Sequence, residues 1–329
     1  MDITIYGDMR AIDTHLAAYG LAAILGGESR IAYDSATRRI SVRTPLNRSD
    51  VECAIEDHVE SLASPHTGWA VAGSDHTKDV PVAVASAAGY ASPFPSKALF
   101  RSRDDIADRY AKRDEIIGSV SALEAETIVA MGKPQYWRGD APRDGATQLM
   151  PAAGDGGREQ LVNNTLKDAV RAGVHELSGA EMLDDLTSAT TRVSTIQEWA
   201  PAPVPLVKTL VAMYGITVAP TSVTSGVPAR TPGCVYAPQS ATSNNKMTVL
   251  PLFTSPVSLE RIRGVIGHGA WLPLVRSNGR SAGKLYRKAS AAAWVREQGV
   301  VASMVFVPEI VKIGPKMSNG QFREGFVFS

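Results

Sequence analysis

Residues 2–43 read DITIYGDMRAIDTHLAAYGLAAILGGESRIAYDSATRRISVR. DITIY alternates polar and apolar residues, the two-residue period of a half-buried strand. From Met9 to Leu25, the side chains Ile12, Leu16, Tyr19 and Ala23 recur at helical spacing, and Gly26–Gly27 ends the helix. Ile31–Tyr33 and Arg38–Arg43 pair as a hairpin, with Ser35, Ala36 and Thr37 in the turn. Ser49-x-x-Glu52 then reads as a capping box for a helix that buries Val51, Ile55, Val59 and Leu62. Strand, helix, hairpin, helix is the order of a mixed α+β protein, built of short strands and hairpins with packed helices.

Outward from this stretch the signals thin. Residues 65–100 are rich in Gly, Ser and Pro around one apolar run, Val80–Ala85, and predict exposed loops with a single strand. His66, Asp75, His76 and Asp79 lie here without metal-ligand spacing. Residues 103–131 form the longest helical pattern, and Asp104, Asp105, Asp108, Arg109, Lys112 and Arg113 make a solvated face. Gly132–Gly139 places Tyr136 and Trp137 between Lys133 and Arg138, an arrangement suited to stacking on bases or to pinning a loop on the core. Gly154, Gly156 and Gly157 precede a helix from Arg158, without the residues of a nucleotide-binding loop. Ser178-x-x-Glu181 caps a short helix, and Thr187–Ser194 reads as a polar linker.

Beyond that linker, Pro201, Pro203 and Pro205 introduce an apolar helix, Leu206–Tyr214, that stops at Gly215. Thr221–Asn245 is a long polar loop. Met247–Phe253 is a buried strand, and Ser255 with Pro256 caps a helix carrying Leu259, Ile262 and Ile266. The loop Pro273–Gly283 leads into a helix ending near Gln298. Val300–Pro308 is a strand, Lys312–Arg323 a basic turn, and Gly325–Phe328 an edge strand.

Charge divides the chain. The net charge is +1, but residues 1–200 carry −9 and residues 201–329 carry +10, with only Glu260, Glu297, Glu309 and Glu324 as acids in the latter. The boundary predicts an acidic domain over 1–190 and a basic, nucleic-acid-contacting domain over 195–329, or one interleaved fold whose halves attract each other. No run approaches the length of a membrane span, and the first ten residues lack a signal pattern. Cys53 and Cys234 have no metal-type spacing and read as reduced thiols of a cytoplasmic protein.

The strongest single feature is Arg261–Arg296, which holds eight cations and no acid. One sign of charge over such a length asks for an anionic partner. Arg261, Arg263, Arg276, Arg280, Lys284, Arg287 and Lys288 are the expected phosphate ligands, with Lys133, Arg138 and Lys246 beside them. Asn244, Asn245 and Asn278 are the expected readers of base edges. His268 suits either phosphate contact or a cation at a helix C-terminus. No GxSxG, HExxH or paired CxxC occurs, so the reading is of a binding protein without cofactor or metal, with an enzyme whose residues are assembled in space as a third alternative.

Four segments resemble the large subunit of type I CRISPR surveillance (Cascade) complexes: HLAAYGLAAIL at 15–25 followed by a hairpin, GDGGREQLVNNTLKDAV at 154–170, PLVKTLVAMYGITVAP at 205–220, and MTVLPLFTSPVSLERIRGVI at 247–266. The resemblance implies a subunit that sits with crRNA and other Cascade-type proteins, reads a short motif beside the target DNA, and helps recruit a helicase–nuclease. The chain is short for that family, so a separate small subunit would supply its C-terminal helical bundle. The alternative is a structural or assembly protein such as a phage virion component, since opposite-charged halves suit head-to-tail packing.

Overall fold

The computed structural model describes residues 1–63, 114–115, 117–130, 149, 168–169, 172–188, 204–220, 231–236, 246–271, 289–312 and 318–328. The chain opens with β1 (Asp2–Thr4), α1 (Ile12–Leu25), β2 (Arg30–Asp34), β3 (Arg39–Arg43) and α2 (Arg48–Ala63). The three strands form an antiparallel sheet in the order β1-β3-β2, with Ile3 and Ile31 both opposite Val42. Alternation along the strands turns Ile3, Ile31, Ile40 and Val42 inward, as the period-two pattern requires. Helix α1 is buried on nearly every side, and Gly26 stops it at φ 87°, donating its N–H to the Ala22 carbonyl.

Helix α2 buries Val51, Ile55, Val59 and Leu62 as expected, but its cap lies two residues earlier than Ser49. Asn47 Oδ1 accepts the Asp50 N–H at 3.0 Å, while Glu52 pairs with Arg48 at 2.6 Å instead of reaching back to a cap. The long helical pattern before residue 131 is interrupted at Ser121, where Ser121 and Glu124 bond reciprocally to open α3 (Ala122–Ala130). Helix α4 (Gly179–Thr187) carries the expected capping box of Ser178 and Glu181.

Helix α5 (Leu206–Gly215) does not stop at Gly215, which keeps helical angles and continues into a 3-10 turn, Ile216–Val218. The glycine serves packing instead. A Cβ on Gly215 would lie 1.9 Å from the Leu16 carbonyl oxygen, and one on Gly20 would lie 1.9 Å from that of Val211. Helices α1 and α5 therefore cross with their backbones in contact, and each supplies the glycine the other needs.

The second half adds β4 (Cys234–Tyr236), β5 (Lys246–Phe253), α6 (Leu259–Gly267), α7 (Ala289–Glu297), β6 (Val300–Phe306), β7 (Pro308–Lys312), β8 (Ser318–Phe322) and β9 (Phe326–Phe328). An antiparallel sheet runs β4-β5-β6-β9, and β7 and β8 pair as a separate hairpin. Part of the segment expected as a 221–245 loop is thus strand, and the basic turn expected over Lys312–Arg323 contains strand β8. The cap of α6 is Ser258, whose Oγ accepts the Arg261 N–H, and not Ser255.

The described residues share one apolar core drawn from both halves. Ile31 and Val257 exchange backbone hydrogen bonds at 2.7 and 2.9 Å, which ties the first sheet to the entrance of α6. The change of charge near residue 190 is not a boundary of packing among these residues. No helix among them is long and apolar enough to cross a membrane, and the fold is mixed α+β.

Candidate nucleic-acid interface

The acid-free run begins on α6 and ends on α7. Leu259, Ile262, Val265 and Ile266 bury one face of α6, so Arg261 points outward. Its Nε and Nη2 donate to the Gln298 carbonyl at 3.3 and 3.1 Å, just past the end of α7. At the other end of α6, the His268 ring stacks on Trp294 of α7 with centroids 3.9 Å apart and planes 12° from parallel. His268 Nδ1 accepts the Ala270 N–H at 3.1 Å, which the neutral tautomer allows. His268 therefore stands at the C-cap of α6 and joins two helices through its stack on Trp294. These contacts hold the two ends of the run together. Arg296 is exposed in the last turn of α7, where a cation suits the helix dipole.

Arg263 is partly buried. Its Nη1 lies 3.0 Å from Glu126 Oε1 of α3, and its buried Nε–H has no acceptor. The structure thus brings Arg261 and Arg263 onto one helix, each already bonded within the chain. Lys246 is the first residue of β5, opposite Tyr236 in the ladder. Lys133, Arg138, Asn244, Asn245, Arg276, Asn278, Arg280, Lys284, Arg287 and Lys288 lie outside the described residues, as do His66 and His76. Glu126, Gln298 and Trp294 were not legible as part of the site, because each meets its partner across a long stretch of chain.

A further cation of the basic half goes inward. Lys208 is the lone charge in the apolar helix LVKTLVAMYG, and that isolation was the available signal for a buried partner. Its Nζ lies 2.5 Å from Asp13 Oδ2, with the two side chains 3% and 2% exposed. It donates to Thr14 Oγ1 at 3.0 Å and sits 6.0 Å from the centre of the Tyr6 ring. Gly7, at φ +119°, leaves room for it, since a Cβ there would come within 2.7 Å of Nζ. Next to this pair, His15 Nε2 lies 2.8 Å from the Met9 carbonyl, and its other nitrogen reaches the Tyr19 hydroxyl at 3.4 Å. Burial, reinforced by the Lys208 charge, lowers the His15 pKa to about 4 although the Met9 hydrogen bond opposes it. Burial likewise pushes the Tyr19 and Tyr33 hydroxyls up, so both stay protonated and share a 3.2 Å hydrogen bond.

Among the described residues, three ion pairs therefore run between the halves: Lys208–Asp13, Arg263–Glu126 and Arg10–Glu324, the last at 3.0 Å. In the first two, a cation of the basic half meets an acid of the acidic half. Neither the protein-family models nor the curated proteins gave a match to this chain.

Proposed function

We propose that the chain is a non-catalytic subunit of a crRNA-guided surveillance complex, contacting target DNA beside the paired region and helping to recruit a helicase–nuclease. One observation carries the reading. The acid-free run Arg261–Arg296 carries eight cations, and its two ends lie on α6 and α7, which are joined by Arg261 on the Gln298 carbonyl and by the His268–Trp294 stack. Such a concentration of one sign favours a phosphate backbone. Arg276, Arg280, Lys284, Arg287 and Lys288 supply charge, while Asn244, Asn245 and Asn278 supply amide groups for base edges. The complex works in the cytoplasm with its crRNA and with other Cascade-type subunits.

Co-purification of the tagged chain from its native cell tests the assignment. A short uniform RNA arriving with stoichiometric partner proteins supports it. A nucleic-acid-free chain that forms regular rings or tubes replaces it with a structural role. In the purified complex, replacing Lys284, Arg287 and Lys288 together by Gln should weaken duplex binding and reduce the slope of log K against log salt by about 2 to 3. An unchanged slope removes these residues from the interface.

A further inference from the structure

Of the described cations on α6, Arg263 is the one matched to a carboxylate, and the match is incomplete. Glu126 engages a single arm of the guanidinium at 3.0 Å, while the Nε–H is buried with no acceptor. Guanidinium carries its donors in a planar fork suited to two oxygens of one oxyanion. The Nε arm is closed to solvent, so a phosphate approaching α6 and the Glu126 carboxylate compete for the Nη arms. Both side chains keep contact with solvent, at 27% and 41% exposure, so exchange requires no opening of the core. A pair of this exposure contributes little of its own to stability, so its partner can be exchanged at small cost.

We propose that Glu126 is an internal competitor for the phosphodiester that Arg263 binds, holding that arginine out of the nucleic-acid interface until a backbone phosphate displaces the carboxylate. The inference rests on the nucleic-acid reading above and adds to it a regulating residue from the acidic half. It gives the Arg263–Glu126 pair a purpose that Lys208–Asp13 cannot share, since the latter is sealed from any ligand.

The test measures affinity of the full chain, in its complex, for a fluorescent DNA duplex across a salt series. Four proteins are compared: wild type, Glu126→Gln, Arg263→Gln and the double variant. Glu126→Gln keeps the shape of the side chain, and a thermal melt matching wild type confirms an intact fold; Glu126→Ala serves as a second variant. Glu126→Gln should bind two- to fivefold more tightly, with a salt slope steeper by up to about 0.9, the value of one phosphate contact. The gain should vanish when Arg263 is already Gln. An equal gain in both backgrounds would show only general relief of charge repulsion and overturn the competition. No gain overturns it while leaving the interface reading in place, and no binding by any of the four proteins overturns both.

Discussion

Lys208 and Arg263 both come from the basic half and both end on a carboxylate of the acidic half, yet the two pairs sit in different surroundings. Lys208–Asp13 lies between α1 and α5 with its side chains 3% and 2% exposed. Arg263–Glu126 joins α6 to α3 near the surface. Net charge counted along a sequence treats these cations alike, but the medium around each decides its consequence. In a sealed core the loss of one partner strands the other, whereas at the surface water replaces it. Opposite charges in the two halves are thus satisfied in part within one chain, and one of the pairs is built into the core.

Glycines give the sharpest contrast between the two regions. At the α1–α5 crossing, Gly215→Ala forces a methyl to within 1.9 Å of the Leu16 carbonyl oxygen. We expect a loss of at least about 4 kcal/mol, enough to prevent folding of a domain of ordinary stability. Gly264 of α6 has open space around the corresponding position, so Gly264→Ala should stabilise by roughly 0.5–1 kcal/mol through helix propensity alone. Circular dichroism melts of the two variants give the comparison directly. Equal effects would mean that α1 and α5 do not cross backbone to backbone.

The ion pairs differ next. Lys208→Met leaves Asp13 buried and uncompensated, and should cost about 3–5 kcal/mol. Replacing both partners, Lys208→Met with Asp13→Leu, should recover much of that loss, because an apolar pair carries no desolvation cost. Urea denaturation of the two singles and the double yields the coupling energy. A double variant no more stable than the worse single would show that Thr14 and Tyr6, and not Asp13, hold the lysine.

The same buried region should respond to acid. His15 has a folded pKa near 4, below the ordinary value of 6.5, chiefly because burial disfavours its charged form. Between these values the unfolded chain binds a proton that the folded chain does not. Stability should therefore fall as pH drops from about 6.5 to about 4, by on the order of 3 kcal/mol, and this contribution should change no further below that. His15→Gln can keep a donor toward the Met9 carbonyl but removes the titration. Its stability should be flatter over that window, as measured by urea midpoints at a series of pH values.

Much of the fold was legible from local pattern. The period of α1, the hairpin that follows, the buried face of α2 and the Ser178–Glu181 box depend on residues a few positions apart. What escaped depends on distant chain or on the choice between neighbouring caps. Gly215 follows an apolar helix and reads as a stop, and only the arrival of Leu16 shows it to be a packing contact. Ser255 beside Pro256 reads as a cap, yet Ser258 stands where the first free N–H groups of α6 point. Arg263 reads as a cation without a partner in the chain until Glu126 is brought to it. The one-sign run itself was plain in the sequence. Which of its cations already have partners inside the chain is a property of the folded state.

The smallest effect discriminates the two pairs most cleanly. Arg263→Gln should change stability by less than about 1 kcal/mol at low salt, because the pair is solvated and its partner can take water instead. At 1 M salt, where charges are screened over about 3 Å, that difference should largely disappear. The cost of Lys208→Met should persist under the same conditions, since ions cannot enter a site 2–3% exposed. Urea midpoints for both variants at low and high salt provide the measurement. If the Arg263 effect exceeds 2 kcal/mol and survives salt, the pair is a structural clamp like its buried counterpart, and an exchangeable phosphate ligand at that position becomes untenable.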